Sequence, residues 1–240
     1  MKKKYSFGGA KRFFIHCLRK PFISMRIYKH APRIFLLFKF GVGKNKNTQS
    51  YWSGVHASEG HLGETQHSRF GNSVSSLLDR IDFTDRDVLD VGCARGTFLE
   101  SIPEAKSRTG VDISHAAVAE VQKKGMMAWQ VTLPYLYLKK QFDIVTCFET
   151  LEHVLKWQET IIQLVRHTRD NGYVIISVPF EDSIVIDEHV VYFDVSRIYK
   201  EMRKHLTVVE MRILGPWILV VGQKKKYVRG QVYDAYPELL

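Results

Sequence analysis

The sequence has few cysteines and no long hydrophobic run, which excludes two large classes of protein. Its 240 residues include three cysteines, Cys17, Cys93 and Cys147. No two of them have the spacing of zinc ligands or of a redox pair, and three cysteines are too few for a disulfide framework, so a reducing cytoplasm is expected. The longest apolar run of the N-terminal part, residues 34–38, is followed by Lys39. It is far shorter than the roughly 20 residues that span a bilayer, and basic residues interrupt the N-terminus before a signal peptide can form.

Acidic residues are also absent from the first 58 positions, which hold 13 of the 35 lysines and arginines. The remaining residues carry 22 basic and 25 acidic groups, so the formal charge of +10 belongs to the N-terminal part of the chain. A protein that binds nucleic acid over its folded face spreads its positive charge over that face. Nucleic acid is therefore not expected as a partner.

The N-terminal arm, residues 1–46, alternates aromatic residues with lysine and arginine. One interpretation is that the aromatic rings pack accessory helices onto the main domain and the charges face solvent. Another is that the rings enter the headgroup region of a membrane while the basic residues meet anionic lipid, which would place a cytoplasmic protein peripherally on the inner face of the membrane. The expected domains are this arm, a main domain over residues 47–226, and a tail over residues 227–240 with no assignable role.

Helical and strand patterns alternate through the rest of the chain. Helices are predicted at 68–81, 97–103, 114–124, 158–169 (ended by Asn171-Gly172) and 194–204. Strands are predicted at 88–91, 108–112, 126–131, 142–148 and 173–178, followed by a hairpin of 207–214 and 217–222. This order predicts an α/β fold whose sheet has seven strands, mostly parallel, with a C-terminal antiparallel hairpin.

A glycine-bearing turn, from Gly92 to Gly96, follows the first predicted strand. Asp90 precedes the turn, where its carboxylate can face a cationic group, and Asp112 ends the second strand 20 residues after Gly92. Such a turn lets a ligand approach the backbone closely, and a carboxylate at the end of the second strand can accept both hydroxyls of a ribose. The chain contains no Gly-Lys-Ser/Thr and no complete Gly-x-Gly-x-x-Gly, so a nucleotide phosphate site lacks support.

In these residues the chain resembles the class I S-adenosylmethionine-dependent methyltransferases, and in particular the O-methyltransferases of ubiquinone biosynthesis. Asp90-x-Gly92-x-x-x-Gly96 is similar to their first motif, with Ala94 in place of the frequent middle glycine. Further similar blocks occupy residues 110–114, 142–154, 172–179 and 189–193, in the family's order. The resemblance covers roughly residues 50–225. It implies a Rossmann-like fold and S-adenosylmethionine as the cofactor, with a divalent metal possible but not expected.

The resemblance also implies which residues bind the cofactor. The turn residues Gly92, Cys93, Ala94 and Gly96 would line its methionine and ribose, and Asp112 would hold the ribose. On the adenine side, Gln130 would bond the amine while Ile113 and Trp129 sandwich the ring. Asp90 and Phe148 complete the predicted set.

The predicted catalytic residues follow the fourth strand. Methyl transfer from a sulfonium requires an aligned nucleophile and, for a hydroxyl, removal of its proton. His153, with an ordinary pKa of about 6.5, could remove that proton at neutral pH. Glu149 could position the cofactor or the acceptor hydroxyl. His189, in the loop after the fifth strand, is a second candidate base. The alternative is that Glu152 and His153 cap and orient the following helix.

Glu149-x-x-Glu152-His153 with the distant His189 also resembles the metal site of small-RNA 3′-terminal 2′-O-methyltransferases, where two carboxylates and two histidines hold a divalent ion. Val154 stands where a second adjacent histidine is expected, so we predict no metal ligand here. The expected activity is methylation of oxygen in a small-molecule, quinone-like, lipid-linked or glycan-linked acceptor at a membrane surface. The alternatives are a metal-dependent RNA ribose 2′-O-methyltransferase and a non-catalytic module that binds the cofactor for stability.

Overall fold

A computed structural model of the chain describes residues 45–57, 80–180 and 188–225. Nearly all of the N-terminal arm, the predicted helix at 68–81 except for its last two residues, and the C-terminal tail lie outside the described residues. Within the described ranges, no helix combines the length and the apolar character needed to cross a membrane.

The described residues form five α-helices and seven strands. The helices are α1 (Gln49–Ala57), α2 (Thr97–Glu100), α3 (His115–Lys123), α4 (Trp157–Arg166) and α5 (Val195–His205). The strands are β1 (Asp87–Val91), β2 (Ser107–Asp112), β3 (Met127–Gln130), β4 (Phe142–Phe148), β5 (Thr168–Pro179), β6 (Thr207–Leu214) and β7 (Trp217–Gln223). A short 3₁₀ turn, Leu151–His153, follows β4.

Local side chains fix where two of these helices begin. The Ser114 hydroxyl accepts the backbone N–H of Ala117 at 3.1 Å and starts α3. The Asp194 carboxylate accepts the backbone N–H of Arg197 at 2.7 Å and starts α5. Each side chain satisfies a donor that the first helical turn leaves without a partner.

One sheet contains all seven strands, in the order β3-β2-β1-β4-β5-β7-β6. Strands β1 to β5 pair in parallel, and β7 runs antiparallel to both of its neighbours. The predicted mostly parallel sheet and antiparallel hairpin are confirmed. The strand order reverses between β1 and β4, and ligands bind at the carboxyl ends of strands beside such a reversal.

The central strands are buried on both faces. In β1, Val88 packs with α2 and α3, whereas its neighbour Leu89 packs with α4 and α5. In β4, Ile144 likewise packs on the face of Val88, and Val145 packs on the face of Leu89. Successive residues of a strand point to opposite faces, so continuous apolar strands are what a sheet covered by helices requires.

The predicted end of a helix at Asn171-Gly172 was wrong. Helix α4 ends at Arg166 and β5 begins at Thr168, so these two residues lie inside the strand, where its register with β4 shifts. Asn171 has a φ of 62°, and a Cβ atom on Gly172 would lie 2.6 Å from the backbone oxygen of Asp143. The residue types that end helices also suit a strand bulge, so the sequence signal was ambiguous.

Candidate active site

The turn after β1 contains three residues with left-handed backbones. The φ angle is 80° at Gly92 and Gly96, and 45° at Ala94. Gly96 lies immediately before α2. The predicted glycine-bearing turn between strand and helix is therefore present at the edge of the sheet where ligands bind.

Gly92 allows this turn to pack against the loop after β4. A Cβ atom at position 92 would lie 2.1 Å from Oγ1 of Thr150. That hydroxyl also donates a hydrogen bond of 2.8 Å to the carbonyl oxygen of Phe148. Any side chain at position 92 would push the two loops apart, so this glycine serves a protein contact in addition to its predicted role beside a ligand.

Asp112, at the end of β2, is connected to the same turn. Its Oδ2 accepts the backbone N–H of Ala94 at 3.0 Å, and its Oδ1 accepts that of Ser114 at 2.8 Å. Burial raises the pKa of this carboxyl, although these hydrogen bonds and the nearby His56 act in the opposite direction. A carboxylate offers about four lone-pair positions, so acceptor capacity remains for the two ribose hydroxyls that the sequence assigns to it.

Asp90 lies beneath the turn and is buried. Its Oδ1 accepts a hydrogen bond of 2.7 Å from the hydroxyl of Thr146. Burial raises the pKa of Asp90 to about 7, and the charge of Asp112 adds to the increase. A cation bound nearby would favour the ionised form. The role of Asp90 in facing a cationic group stays a prediction.

Two predicted cofactor-binding residues direct their side chains into the core. The Sγ atom of Cys93 is 2.6 Å from where a Cβ on Gly110 would lie, so the thiol packs against a glycine of β2. Phe148 packs edge-to-face on Phe98, with 5.0 Å between the ring centroids. Any contact of Cys93 with the cofactor would therefore come from its backbone.

The predicted adenine residues lie at the ends of β2 and β3. Gln130 pairs with Asp112 in the parallel ladder, and its Nε2 donates to the carbonyl oxygen of Ile113 at 2.9 Å. Trp129 is the preceding strand residue, so its ring points to the other face of β3, where it is 45% exposed. The structure thus brings Gln130 to Ile113, and the predicted sandwich between Ile113 and Trp129 stays a prediction.

Glu149 follows β4 directly and has a left-handed backbone, with a φ of 46°. Its Oε1 accepts a hydrogen bond of 2.8 Å from the hydroxyl of Ser177 on β5. Burial raises the pKa of Glu149 to about 7. A strained backbone and a raised pKa at one residue are common where a side chain acts on a ligand.

Glu152, His153 and His189 form one compact cluster. The Oε1 atom of Glu152 lies 4.0 Å from Nε2 of His153 and 3.9 Å from Nε2 of His189. Glu152 is 1% exposed, and its Oε2 has no hydrogen-bond partner among the described residues. Burial raises the pKa of Glu152 well above its ordinary value, and the charge of Glu149 acts in the same direction.

This cluster has the donor types and spacing of a cation site. Its three ligand atoms all lie within 4.8 Å of one another, and Glu149 is not among them. Imidazole nitrogens with a carboxylate oxygen suit zinc or manganese. The residues could therefore hold a divalent ion that the sequence prediction did not expect.

The His153 ring is oriented by the backbone of Glu188. Its Nδ1 lies 3.1 Å from the Glu188 carbonyl oxygen, which can only accept, so in the neutral ring Nδ1 carries the proton and Nε2 has the lone pair. The side chain of His153 is 15% exposed, against 4% for His189. An acceptor molecule can therefore reach His153 more easily.

The alternative that Glu152 and His153 cap the next helix is not supported. The residue at the start of α4 is Lys156, and no side-chain hydrogen bond caps this helix. The backbone oxygen of Glu152 instead accepts the N–H groups of Val190 and Val191, at 2.8 and 3.0 Å. These bonds attach the segment that carries His189 to the turn after β4.

Sequence reasoning missed the contribution of α1 and of the residues just before it. The Trp52 ring packs edge-to-face on His153, with 4.9 Å between centroids. The Tyr51 hydroxyl donates to the Glu188 carboxylate, and the side-chain amide of Asn47 donates to the Glu188 carbonyl at 2.8 Å. These partners are far apart in the chain, and no motif marks them.

The strand order and the turn at the reversal point define a class I methyltransferase fold. A family profile described as a methyltransferase domain matches residues 64–214, and the chain belongs to this family of S-adenosylmethionine-dependent methyltransferases. The family resemblance inferred from the sequence is confirmed.

Related sequences are named ubiquinone biosynthesis O-methyltransferases. The protein from Rickettsia prowazekii is 30% identical over 134 residues, which cover 52% of this chain and 53% of the relative. The protein from Pseudomonas entomophila is 28% identical over 176 residues, 67% of this chain and 74% of the relative. The chain therefore spans about half to three quarters of these relatives.

Solved structures share the fold at low identity. The N-methyltransferase NodS from Bradyrhizobium japonicum, in complex with S-adenosylhomocysteine, has a TM-score of 0.63 and 16% identity, covering 75% of this chain and all of that one. Magnesium protoporphyrin IX methyltransferase from Synechocystis has a TM-score of 0.59 and 17% identity, covering 74% and 98%. These likenesses establish the fold, whereas the acceptor must be argued from the site.

Proposed function

We propose that this enzyme transfers a methyl group from S-adenosylmethionine to a hydroxyl oxygen of a small quinone-like or lipid-linked acceptor. The observation that carries the proposal is the 3.1 Å contact between Nδ1 of His153 and the Glu188 carbonyl oxygen, which makes Nε2 the basic nitrogen of the neutral ring. His153 lies in the short 3₁₀ turn after β4, in the loop that packs against the glycine turn through Thr150. The names of the related sequences support oxygen as the methylated atom.

Each predicted role fits the chemistry of the reaction. S-adenosylmethionine supplies a methyl group on a sulfonium, which is already a good leaving group. The protein binds, aligns and removes a proton. Asp112 binds the ribose hydroxyls, and Asp90 faces the cationic part of the cofactor. His153 would take the proton of the acceptor hydroxyl as that oxygen is methylated, and Glu152 lies next to the imidazolium that would form.

The N-terminal arm suits a lipid-linked acceptor. Its basic and aromatic residues would hold the enzyme at an anionic bilayer, where such an acceptor is dissolved. Flotation with vesicles containing anionic lipid tests this part of the proposal. The full chain should float with these vesicles and not with neutral ones, and deletion of residues 1–46 should abolish flotation. Equal flotation after the deletion would remove the arm as the attachment site.

Transfer of the label from radiolabelled S-adenosylmethionine to a panel of candidate acceptors would identify the acceptor. The panel contains catechols, from unsubstituted to polyprenylated, and lipid-linked sugars. Mass spectrometry then locates the new methyl group on oxygen. The variant His153→Gln should lose at least about 100-fold in kcat, as expected for loss of a general base. His167→Gln is the matched control, since that buried histidine also bonds to backbone groups but lies at the opposite edge of the sheet. Equal activity of both variants would refute the assignment of His153 as the general base.

A second candidate function follows from the cluster of Glu152, His153 and His189. A divalent cation held there would bind an acceptor oxygen, as in methylation of an RNA ribose 2′-hydroxyl. The excess of acidic groups after residue 58 counts against RNA as the acceptor. Loss of methyl transfer in a chelator, restored by manganese or zinc, would favour the metal-assisted reaction. Turnover that is unaffected by chelator would favour proton removal by His153, and turnover of any acceptor excludes a non-catalytic module.

A further inference from the structure

The outer edge of β6 has no neighbouring strand among residues 45–57, 80–180 and 188–225. Strand β6 is the last in the sheet, and its inner edge pairs with β7. Every second residue of an edge strand turns its backbone N–H and C=O groups away from the sheet, so β6 presents a row of groups that a further strand can bind.

The side chains of β6 give this edge little protection against pairing. Lysine and proline commonly block the edges of natural sheets, and Thr207–Leu214 contains neither. Two aliphatic side chains of the strand, Val209 and Ile213, are instead 51% and 53% exposed. A bulge also disturbs pairing, but it lies between Val208 and Glu210 and leaves residues 210–214 as a regular strand.

The two charged residues of β6 have opposite signs and lie on the same face of the sheet. Nε of Arg212 is 2.5 Å from Oε1 of Glu210, and the two side chains are 35% and 26% exposed. Nη1 of Arg80 lies 3.5 Å from the same carboxylate oxygen. A neighbouring strand would therefore be favoured if it placed a positive charge opposite Glu210 and a negative charge opposite Arg212.

An antiparallel copy of β6 meets this requirement. When two copies pair about a two-fold axis at Met211, Glu210 of each copy lies opposite Arg212 of the other. The same register places Val209 opposite Ile213. Moving the axis by one residue would place Glu210 opposite Glu210, or Arg212 opposite Arg212, and like charges directly opposite each other destabilise a sheet. The charges therefore favour one register over its neighbours.

Helix α5 adds an exposed aromatic ring beside this edge. The guanidinium of Arg197 lies 5.2 Å from the ring centroid of Trp157 in α4, so this flank of α5 faces α4. Tyr199 is two residues further on, about 200° around the helix, and is 40% exposed on the flank that faces away from α4. Because α5 packs on β6 and β7, joining two β6 edges would bring the two copies of α5 side by side on one face.

We infer that the outer edge of β6 is a dimer interface, at which two copies of this chain join their sheets antiparallel around Met211. The interface is isologous, because the same residues of both copies contact each other. Strands β7, β5 and β4 separate this edge from the glycine turn after β1, so the inference does not rest on the proposed function.

Analytical ultracentrifugation of the full chain tests the dimer. The wild type should sediment with the mass of two chains at micromolar concentration. Glu210→Arg and Arg212→Glu each place like charges opposite each other, so each should raise the dimer dissociation constant at least about ten-fold. Glu120→Arg, an exposed residue of α3 paired with Lys123, is the matched control and should leave the constant unchanged. A monomeric wild type would overturn the inference.

A mixture of the two variants separates pairing between copies from effects within one chain. One variant then carries two positive side chains and the other two negative ones, so every opposite pair across the axis is restored. Neither chain regains its own ion pair between positions 210 and 212. Native mass spectrometry, with one variant isotopically labelled, should show more heterodimer than either homodimer. A mixture without this enrichment would refute the proposed register and the interface built on it.

Ile213→Lys tests the apolar part of the interface. The side chain is exposed, so the substitution should leave the free energy of unfolding of the monomer unchanged. It should raise the dimer dissociation constant at least about ten-fold, because the new charge would be held against Val209 of the other copy. Thr207→Lys is the matched control, since Thr207 is exposed at the far end of the strand and has no strand residue opposite it in this register. Wild-type dimerisation of Ile213→Lys would contradict the interface.

Discussion

The Oε1 atom of Glu152 lies 3.9 Å from Nε2 of His189, although the two residues belong to separate loops. The contact depends on backbone hydrogen bonds from Val190 and Val191 to the Glu152 carbonyl oxygen. It places a buried carboxyl between two imidazoles, next to the end of β4 where the acceptor would bind. The proposed function makes this cluster the chemical centre of the site.

Glu152→Gln tests this contact. The variant keeps the size of the side chain but cannot stabilise a protonated His153, so kcat for methyl transfer should fall at least about ten-fold. The dissociation constant of S-adenosylhomocysteine should stay within about two-fold. Glu159→Gln, an exposed residue paired with Lys156, provides the control and should have wild-type kcat. Wild-type kcat in Glu152→Gln would argue against a catalytic cluster.

Asp112→Asn tests the ribose site. The variant loses the charge that strengthens hydrogen bonds to ribose hydroxyls, which contribute about 1.5–3 kcal/mol each when charge-assisted. Calorimetry should therefore show S-adenosylhomocysteine binding at least about ten-fold weaker. Asp85→Asn is the matched control, because Asp85 is exposed and its φ of 55° suits asparagine. An unchanged dissociation constant in Asp112→Asn would remove the assignment.

Gly92→Ala and Gly125→Ala separate backbone strain from a steric clash. Both glycines have similar left-handed backbones, with φ of 80° and 76°, but a Cβ has open space only at Gly125. Gly125→Ala should lower the free energy of unfolding by about 1–2 kcal/mol, the cost of a left-handed alanine. Gly92→Ala should lower it further and weaken cofactor binding, because the new Cβ meets Thr150. Urea denaturation measures the free energy of unfolding of both variants. An equal loss in the two would contradict the close contact between position 92 and Thr150.

The pH dependence of stability tests the burial of Asp90. Its ordinary pKa is 3.8, and burial raises it to about 7 in the folded protein. Between these values the folded state holds a proton that the unfolded state has released, so the free energy of unfolding falls as pH rises, by up to about 1.4 kcal/mol per unit. Glu149 contributes a fall in the same direction, since its pKa is also raised to about 7.

Asp90→Asn should make this decline shallower, because asparagine does not titrate and can still accept the Thr146 hydroxyl. Urea denaturation of wild type and variant at pH 5, 6, 7 and 8 gives the two slopes. Parallel slopes would show that Asp90 does not titrate in this range. Asp85→Asn, with its exposed side chain, should leave the slope unchanged.

The sequence predicts the sheet well because its signals are local. The mostly apolar residues of β4 and the hairpin around Gly215-Pro216 are visible without knowledge of the fold. Asn171-Gly172 misled the prediction, because the preference for a left-handed backbone does not distinguish a helix end from a strand bulge. Two observations on the structure, the shifted register and the close approach to Asp143, resolve that ambiguity.

The site was only partly predictable for a different reason. Asp112 and His153 lie in motifs next to strand ends, so their placement follows from the strand order. Trp52 and Glu188 reach the site through contacts between distant segments, and hydrophobic patterns carry no information on such pairings. Cys93 lies inside a motif, but its side chain points into the core rather than to the ligand. The reason is Gly110 on the neighbouring strand, which leaves space for the thiol.

The most direct test of the account is calorimetry of S-adenosylhomocysteine with the full chain at neutral pH, in the presence and absence of a chelator. The account predicts micromolar binding at one site per chain, unchanged by chelation, because Asp112 and the turn from Gly92 to Gly96 form the cofactor site without a metal. Absence of binding under both conditions would contradict the central claim that this fold works as a methyltransferase.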